Sequence, residues 1–411
     1  MVTRESILRS SLGAVRRAFL SCNIVVCVVC FFAFSSSKNV DCVDEPPAMP
    51  AGHLKPLGWH RVAEAGVDTV QFVPEPGVFF EDYVRKGRPL LMKGAARSMK
   101  AFKLWNDEYM RAAFGDVEVE VEEGKKENRS RGLWAMRLDE FLDEYQLGDM
   151  YMVASVPREM AGEVELLSCM LCGGFTKNLQ DAVIWFSSGD TKSVLHFDAL
   201  DNINCVMDGR KEFFLVDKND KANVFIDHPE GSFSGVDVDK VDMYKYPGLS
   251  QVPWYNVTMQ PGDCFFIPYR WFHQVRSAAG RSLAINIWFV HLLQFNSSDC
   301  KAKGKLPDFE PLAQFELASD SEQLRGEIAN FIDELDDAEL HIEDLSKLAA
   351  DLEISDQESL KVFQTLDQDK DGGVTIDEVY SCNMNNVQAQ APGLATRDTD
   401  GEKFDDNHDE L

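Results

Sequence analysis

The stretch from Asp181 to Phe289 limits the possible folds more than any other part of the chain. Short apolar or alternating runs follow one another at 182–186, 193–197, 202–207, 212–216, 257–259, 264–267, 272–275 and 282–289, with turn residues between them. Asp208-Gly209 reads as a two-residue hairpin turn, and Pro261-Gly262-Asp263 as a second turn. A series of short strands with regular turns buries its apolar faces only by closing into a sandwich or barrel. The expectation is a mainly β fold with α elements: a jelly roll, or double-stranded β-helix, with helices packed outside it.

Upstream of that stretch the pattern changes. Phe79, Phe80, Tyr83 and Val84 recur at helical spacing, 89–92 reads as a short strand, and 104–114 as a helix ending at Gly115. Val117, Val119 and Val121 alternate with glutamates, as a half-exposed strand does, and 139–145 reads as a further helix. Residues 46–75, rich in Pro and Gly, read as an arm.

Charge marks a boundary at the other end. The chain carries 69 acidic and 41 basic residues, a net charge of −28, and −20 of this falls from Lys301 onward. Such a balance excludes nucleic acid as a main partner, because phosphate recognition needs clustered Lys and Arg. Beyond Lys301 a helix is predicted over 321–348, with Leu324, Ile328, Phe331, Ile332, Leu335 and Leu340 on one face.

The N-terminus has Arg4, Arg9, Arg16 and Arg17 before an apolar run from Ala18 to Phe34, the layout of a secretory signal peptide or of an uncleaved signal anchor. Only the anchor would make the membrane a partner. The last four residues, His408-Asp409-Glu410-Leu411, match a retrieval signal of the endoplasmic reticulum, so a lumenal location and a retrieval receptor are expected. Sequons at Asn128, Asn256 and Asn296 fit a glycoprotein of that compartment. Outside the signal region there are seven cysteines: Cys42, Cys169, Cys172, Cys205, Cys264, Cys300 and Cys382. An odd number leaves at least one thiol free or intermolecular. Cys205 and Cys264 fall in apolar runs and are expected as small buried hydrophobes, and the Cys169/Cys172 pair as partners in a local or longer-range disulfide.

Within the β region lie His196-Phe197-Asp198 and, much later, His273. Residues i and i+2 of a strand share a face, so His196 and Asp198 can converge on one ion, with His273 arriving from a separate strand. Two His and one carboxylate on one face leave three coordination positions open, the facial triad of non-haem Fe(II) oxygenases. Lys211, on the strand after Asp208-Gly209, stands among Phe213, Phe214 and Leu215. It either meets an anion there or faces solvent on an edge strand.

These residues lie in a segment, 78–289, that resembles the jumonji C hydroxylases of the cupin type, and especially the small branch that includes the asparaginyl hydroxylase of hypoxia-inducible factor. The matching motifs are Arg88-Pro89-Leu90-Leu91-Met92-Lys93-Gly94-Ala95, Ser193-Val194-Leu195-His196-Phe197-Asp198, Gly209-Arg210-Lys211, Gln260-Pro261-Gly262-Asp263, Ile267-Pro268-Tyr269-Arg270-Trp271-Phe272-His273 and Asn286-Ile287-Trp288-Phe289. The resemblance implies that His196, Asp198 and His273 ligate iron. It also implies that Lys211 and the hydroxyl of Ser193 hold the distal carboxylate of 2-oxoglutarate, with Asn202, Asn286 and Tyr151 lining that pocket. The reaction it implies converts 2-oxoglutarate and O2 to succinate and CO2 while a substrate is hydroxylated, here a side chain of a lumenal or secreted protein.

Residues 367–378 fit the twelve-residue EF-hand loop at every ligand position: Asp367, Asp369 and Asp371 at 1, 3 and 5, Gly372 at the sharp turn, the Gly373 carbonyl at 7 and Glu378 at 12. Ca2+ is therefore a third expected ligand. EF-hands work in pairs, and 333–351 is acidic but has no glycine, so the partner is either degenerate or supplied by another molecule. The expected organisation is 1–37 signal, 38–77 arm, 78–300 catalytic domain, 301–350 acidic helical segment, 351–385 EF-hand and 386–411 flexible acidic tail. Two other readings stay open: an inactive cupin-fold scaffold that binds calcium, and a different metal-dependent cupin enzyme.

Overall fold

The computed structural model describes residues 49–124, 133–227, 232–335 and 338–393. The signal segment, Cys42, Asn128 and the terminal tetrapeptide lie outside these residues. None of the described helices is long and apolar enough to cross a membrane.

Strands follow in the order β1 (Asp68–Val70), β2 (Leu90–Met92), β3 (Glu118–Glu123), β4 (Trp134–Arg137), β5 (Met150–Ser155), β6 (Glu165–Leu167), β7 (Leu179–Ser187), β8 (Asp201–Asp208), β9 (Lys211–Val216), β10 (Tyr255–Met259), β11 (Cys264–Ile267), β12 (Phe272–Ser277) and β13 (Ser282–Phe289). A nine-stranded sheet runs β1-β2-β11-β8-β13-β7-β5-β3-β4, and a three-stranded sheet runs β10-β9-β12. The expected jelly roll is present. Consecutive strands cross between the sheets: β8 lies in the large one and β9 in the small one. Asp208-Gly209 is therefore a corner between sheets and not a hairpin within one. Gly209, at φ +78°, fits there because an added Cβ would lie 2.6 Å from the Arg281 carbonyl oxygen. A turn signal reports a reversal of the chain but not the strand's next partner.

The predicted strand over 193–197 is not continuous. It is held by isolated bridges, His196 to His273 and to Phe233, and Lys192 to Arg276. It thereby extends the small sheet beyond β12.

Side-chain parity assigns the faces. In the large sheet Ile203, Cys205, Ile184, Phe186, Ile285 and Ile287 point outward into a core shared with the N-terminal helices, including Phe79, Phe141 and Tyr145. The predicted helix over 104–114 breaks at Trp105. Residues Lys100–Leu104 and Asp107–Phe114 form separate helices because Asn106 starts the second, its side chain accepting from the Tyr109 N–H at 2.9 Å. The arm is strapped down: Leu54 and Leu57 donate backbone bonds to Val241 and Val238.

One correction concerns cysteine, and one expected longer-range bridge is found. Cys205 and Cys264 are buried, but they are joined in a disulfide, because the register sets them directly opposite each other with Cα atoms 4.0 Å apart. Cys172 pairs with Cys300, while Cys169 is buried and free.

The C-terminal acidic region forms one unit. Helix Asp320–Asp333 packs with Leu345–Asp351, Asp356–Leu366, Ile376–Ser381 and Met384–Gln390 around Leu324, Ile328, Leu348, Val362, Phe363 and Val379. Two expectations change accordingly, and one open choice is decided. The helix over 321–348 stops at Asp333, and Leu340, in phase with its apolar face, lies instead in a two-residue strand paired with Val374. The partner of the 367–378 loop is thus the degenerate loop within the same chain. Ala338 there, at φ +55°, occupies the place that Gly372, at φ +96°, holds in the second loop, two residues before the paired residues Leu340 and Val374 respectively. Finally, the first residues of the expected tail, 386–390, continue a helix that starts at Met384, with Val387 buried, so apolar content outweighed the polar composition there.

The Cys172–Cys300 bridge spans 128 residues. Chain entropy in the unfolded state makes such a closure stabilising by roughly 2–5 kcal/mol. Cys172→Ser should lower unfolding stability by that amount in non-reducing urea melts; an unchanged midpoint would mean the bridge is not formed.

Candidate active site

His196 sits on the bridged segment beside β12, which carries His273. Each backbone bonds the other across the gap: His196 N–H to the His273 carbonyl at 3.0 Å and His273 N–H to the His196 carbonyl at 2.7 Å. The two imidazoles therefore lie side by side, centroids 4.2 Å apart. The Nδ1 of His196 is 2.9 Å from the Val194 carbonyl, and that of His273 is 2.9 Å from the Trp271 carbonyl. A carbonyl only accepts, so each Nδ1 carries a proton, and in the neutral ring each Nε2 then presents its lone pair. Both lone pairs face Asp198: His196 Nε2 is 3.9 Å from its Oδ1, and His273 Nε2 is 3.6 Å from its Oδ2. One donor atom from each residue lies within 4.8 Å of the others. Two neutral imidazoles and a carboxylate converging in this way fit a divalent metal, and the carbonyl bonds are the outer contacts that hold histidine ligands in orientation.

Lys211 settles between its two readings. It lies on β9, the central strand of the small sheet, and is 4% exposed. Its register partner on β12 is Ser277, on the same face as His273, so the lysine points between the sheets. Its Nζ donates to Ser277 Oγ at 3.4 Å. Burial pushes the ammonium pKa from 10.5 down to about 8, a cost on the order of 3 kcal/mol to the charged form. A buried cation held at that cost fits an anionic ligand. Ser277, missed in the sequence, could have been found by strand parity, four residues beyond His273.

The other predicted pocket residues divide. Asn202, Asn204 and Asn286 project from β8 and β13 toward the same interior, Asn204 donating to Asn286. Asn204 was not anticipated. Tyr151, on β5, shares that face through its register with Ser187, its ring 5.7 Å from Trp185. Ser193 is used differently: its hydroxyl donates to the Val194 carbonyl at 3.0 Å and accepts from the Val275 N–H at 2.8 Å, with no hydrogen bond to Lys211. It anchors the His196 segment to β12. Four polar atoms of this inner wall are buried without partners: Asn202 Oδ1, Asn204 Oδ1, Trp185 Nε1 and Trp288 Nε1. Unpaired polar atoms in a native interior call for a ligand or water.

In the C-terminal loop, Asp367, Asp369 and Asp371 also bring carboxylate oxygens within 4.8 Å of one another, and Asp367 Oδ1 is buried without a partner. Glu378 does not join them. Its carboxylate accepts from the N–H groups of Gln368 and Thr375, closing a capping box on helix Ile376–Ser381.

A jelly roll with a His-Asp-His face and a buried lysine behind it defines the class of protein. The cupin-like domain family matches residues 76–295, more than half of the chain, and the chain belongs to that family. Curated relatives include Jumonji C domain-containing protein 5 of Drosophila melanogaster, 26% identical over 222 residues (49% of this chain and 55% of the relative). Lysine-specific demethylase 8 of Xenopus tropicalis is 27% identical over 224 residues (51% and 50%). The human bifunctional peptidase and (3S)-lysyl hydroxylase JMJD7 is 26% identical over 274 residues (53% and 81%). The chain spans about half the length of the first two relatives. The jumonji C group uses Fe(II) and 2-oxoglutarate, and the His-Asp-His set suits that metal.

With Lys211 titrating near 8, the ammonium that a carboxylate needs is lost as pH rises through that value. The dissociation constant for 2-oxoglutarate should be flat below pH 7 and rise about tenfold per pH unit well above 8, as read by calorimetric titration. A constant value from pH 7 to 9.5 would remove Lys211 from the binding site.

Proposed function

We propose that this chain is a 2-oxoglutarate-dependent oxygenase that hydroxylates a side chain of a protein in the lumen of the endoplasmic reticulum. The observation that carries the reading is the pair of imidazoles whose Nδ1 protons are bound to carbonyls, leaving both Nε2 atoms facing Asp198. His196, Asp198 and His273 would hold iron, and iron with 2-oxoglutarate supplies the oxidising chemistry when bound. Lys211 with Ser277 anchors the distal carboxylate. The indole N–H groups of Trp185 and Trp288 offer donors to the rest of the co-substrate, and the apolar wall of Phe213, Leu215 and Ile267 excludes water.

The substrate reading draws on two supports. Relatives carry names that refer to lysine in proteins. A cleft of about 520 Å³ also opens at Ala199, next to Asp198 in sequence, with Asp320, Glu327 and Glu353 along it beside the Arg270–Glu334 ion pair. That charge suits a segment bearing Lys or Arg. The location rests on the signal and retrieval motifs at the two ends, on two disulfides, which persist in oxidising compartments, and on the exposure of Asn256 and Asn296.

The same reading assigns Ca2+ to the 367–378 loop, supported by the three gathered aspartates and by the paired strand that braces the loop. Glu378 would leave its capping bonds to complete the site. Asp369→Asn should weaken Ca2+ binding at least tenfold by calorimetry; equal affinity would move the ion elsewhere.

The enzymatic reading is tested with protein loaded with Fe(II), 2-oxoglutarate and ascorbate against lumenal peptide libraries. Wild type should form succinate together with peptides 16 Da heavier, and His196→Ala should do neither. Equal turnover by both proteins would remove His196 from the chemistry, and no turnover coupled to any peptide would favour the scaffold reading.

A further inference from the structure

The turn 268–271, between β11 and β12, touches both halves of the metal site. The Arg270 N–H donates to the Asp198 carbonyl at 3.0 Å. The Trp271 carbonyl takes the His273 Nδ1 proton. The Tyr269 N–H donates to Asp201 Oδ1 at 2.7 Å, and Asp201 in turn is bound by His291, whose ring stacks on Tyr269. Arg270 itself stands at φ +59°, a left-handed conformation that a non-glycine residue keeps only when its surroundings enforce it.

What grips this turn from outside is the C-terminal unit. Glu334, at the end of helix Asp320–Asp333, forms an ion pair with the Arg270 guanidinium and accepts the Tyr269 hydroxyl proton at 3.0 Å. The helix sits tightly on the catalytic domain at Gly326, where an added Cβ would lie 2.0 Å from Val290 Cγ1. Glu334 lies outside the matched 76–295 segment.

We propose that Glu334 is a positioning residue for the metal site: it holds the strained Tyr269-Arg270 turn and so fixes the Asp198 backbone and the His273 ring from 60 or more residues away in sequence. The proposal rests on the metal-site reading above. Glu334 touches neither metal nor co-substrate and acts through Arg270. The chain just beyond Glu334 is also paired to the 367–378 loop through Leu340 and Val374, so the acidic unit touches both the metal-site turn and that loop.

The test uses the full chain and Co(II) as a spectroscopic stand-in for iron, with Glu334→Ala, Glu334→Asp and Glu334→Gln. Glu334→Ala should raise the Co(II) dissociation constant at least tenfold and change the visible cobalt spectrum, at a melting temperature close to that of wild type. Glu334→Asp should recover most of the affinity. If Glu334→Ala does not fold, the isosteric Glu334→Gln, which keeps the tyrosine bond and loses the charge, is read instead and should show a smaller rise. A lowered melting temperature with unchanged cobalt affinity and spectrum would overturn the proposal and leave Glu334 a structural residue. Wild type that binds no Co(II), while His196→Ala behaves identically, would overturn the metal-site reading and the proposal with it.

Discussion

The active-site geometry depends on two backbone carbonyls. Those of Val194 and Trp271 each take an imidazole proton, and this alone turns both histidines toward one carboxylate. Without those bonds each ring could rotate or exchange its proton between nitrogens, and three residues of the right type would not make a site. The carbonyls are in place because the bridged segment and β12 bond each other at His196 and His273.

The second determinant is the jelly roll's inner face. Alternation along β8, β9, β12 and β13 sends Asn202, Asn204, Lys211, Ser277 and Asn286 into the space between the sheets. The outward-facing neighbours on β8 and β13 fill the core against the N-terminal helices, while Phe214, Val216 and Phe272 on β9 and β12 pack in a separate core with Leu57, Val238 and Leu249. Burial in that space depresses the pKa of Lys211, and unpaired indole and amide atoms accompany it. Such an interior is poorly suited to stability alone and well suited to holding a polar, anionic molecule.

Much of this was readable from the chain. Apolar or alternating runs marked β2, β3 and β7 to β13, and the His-x-Asp motif with a distant His pointed to the triad that the structure assembles. The misses share a cause: local signals do not encode partners. Asp208-Gly209 announced a turn but not a change of sheet, and Cys205 and Cys264 looked like core residues until register set them face to face. Leu340 kept the helical period of 324–335, yet it pairs as a strand with a residue 34 positions away, Val374. Ser193 has the right chemistry for a carboxylate but is already bonded to Val275. Ser277, Asn204 and Trp185 became visible only once inner and outer faces were known.

The central claim is one divalent metal held by three named side chains. Crystals grown anaerobically with Fe(II) and measured at the iron absorption edge test it directly. The account predicts a single anomalous peak in this domain, within bonding distance of His196 Nε2, His273 Nε2 and an Asp198 oxygen. Iron bound elsewhere in the domain, or no peak there at full iron loading, would contradict it.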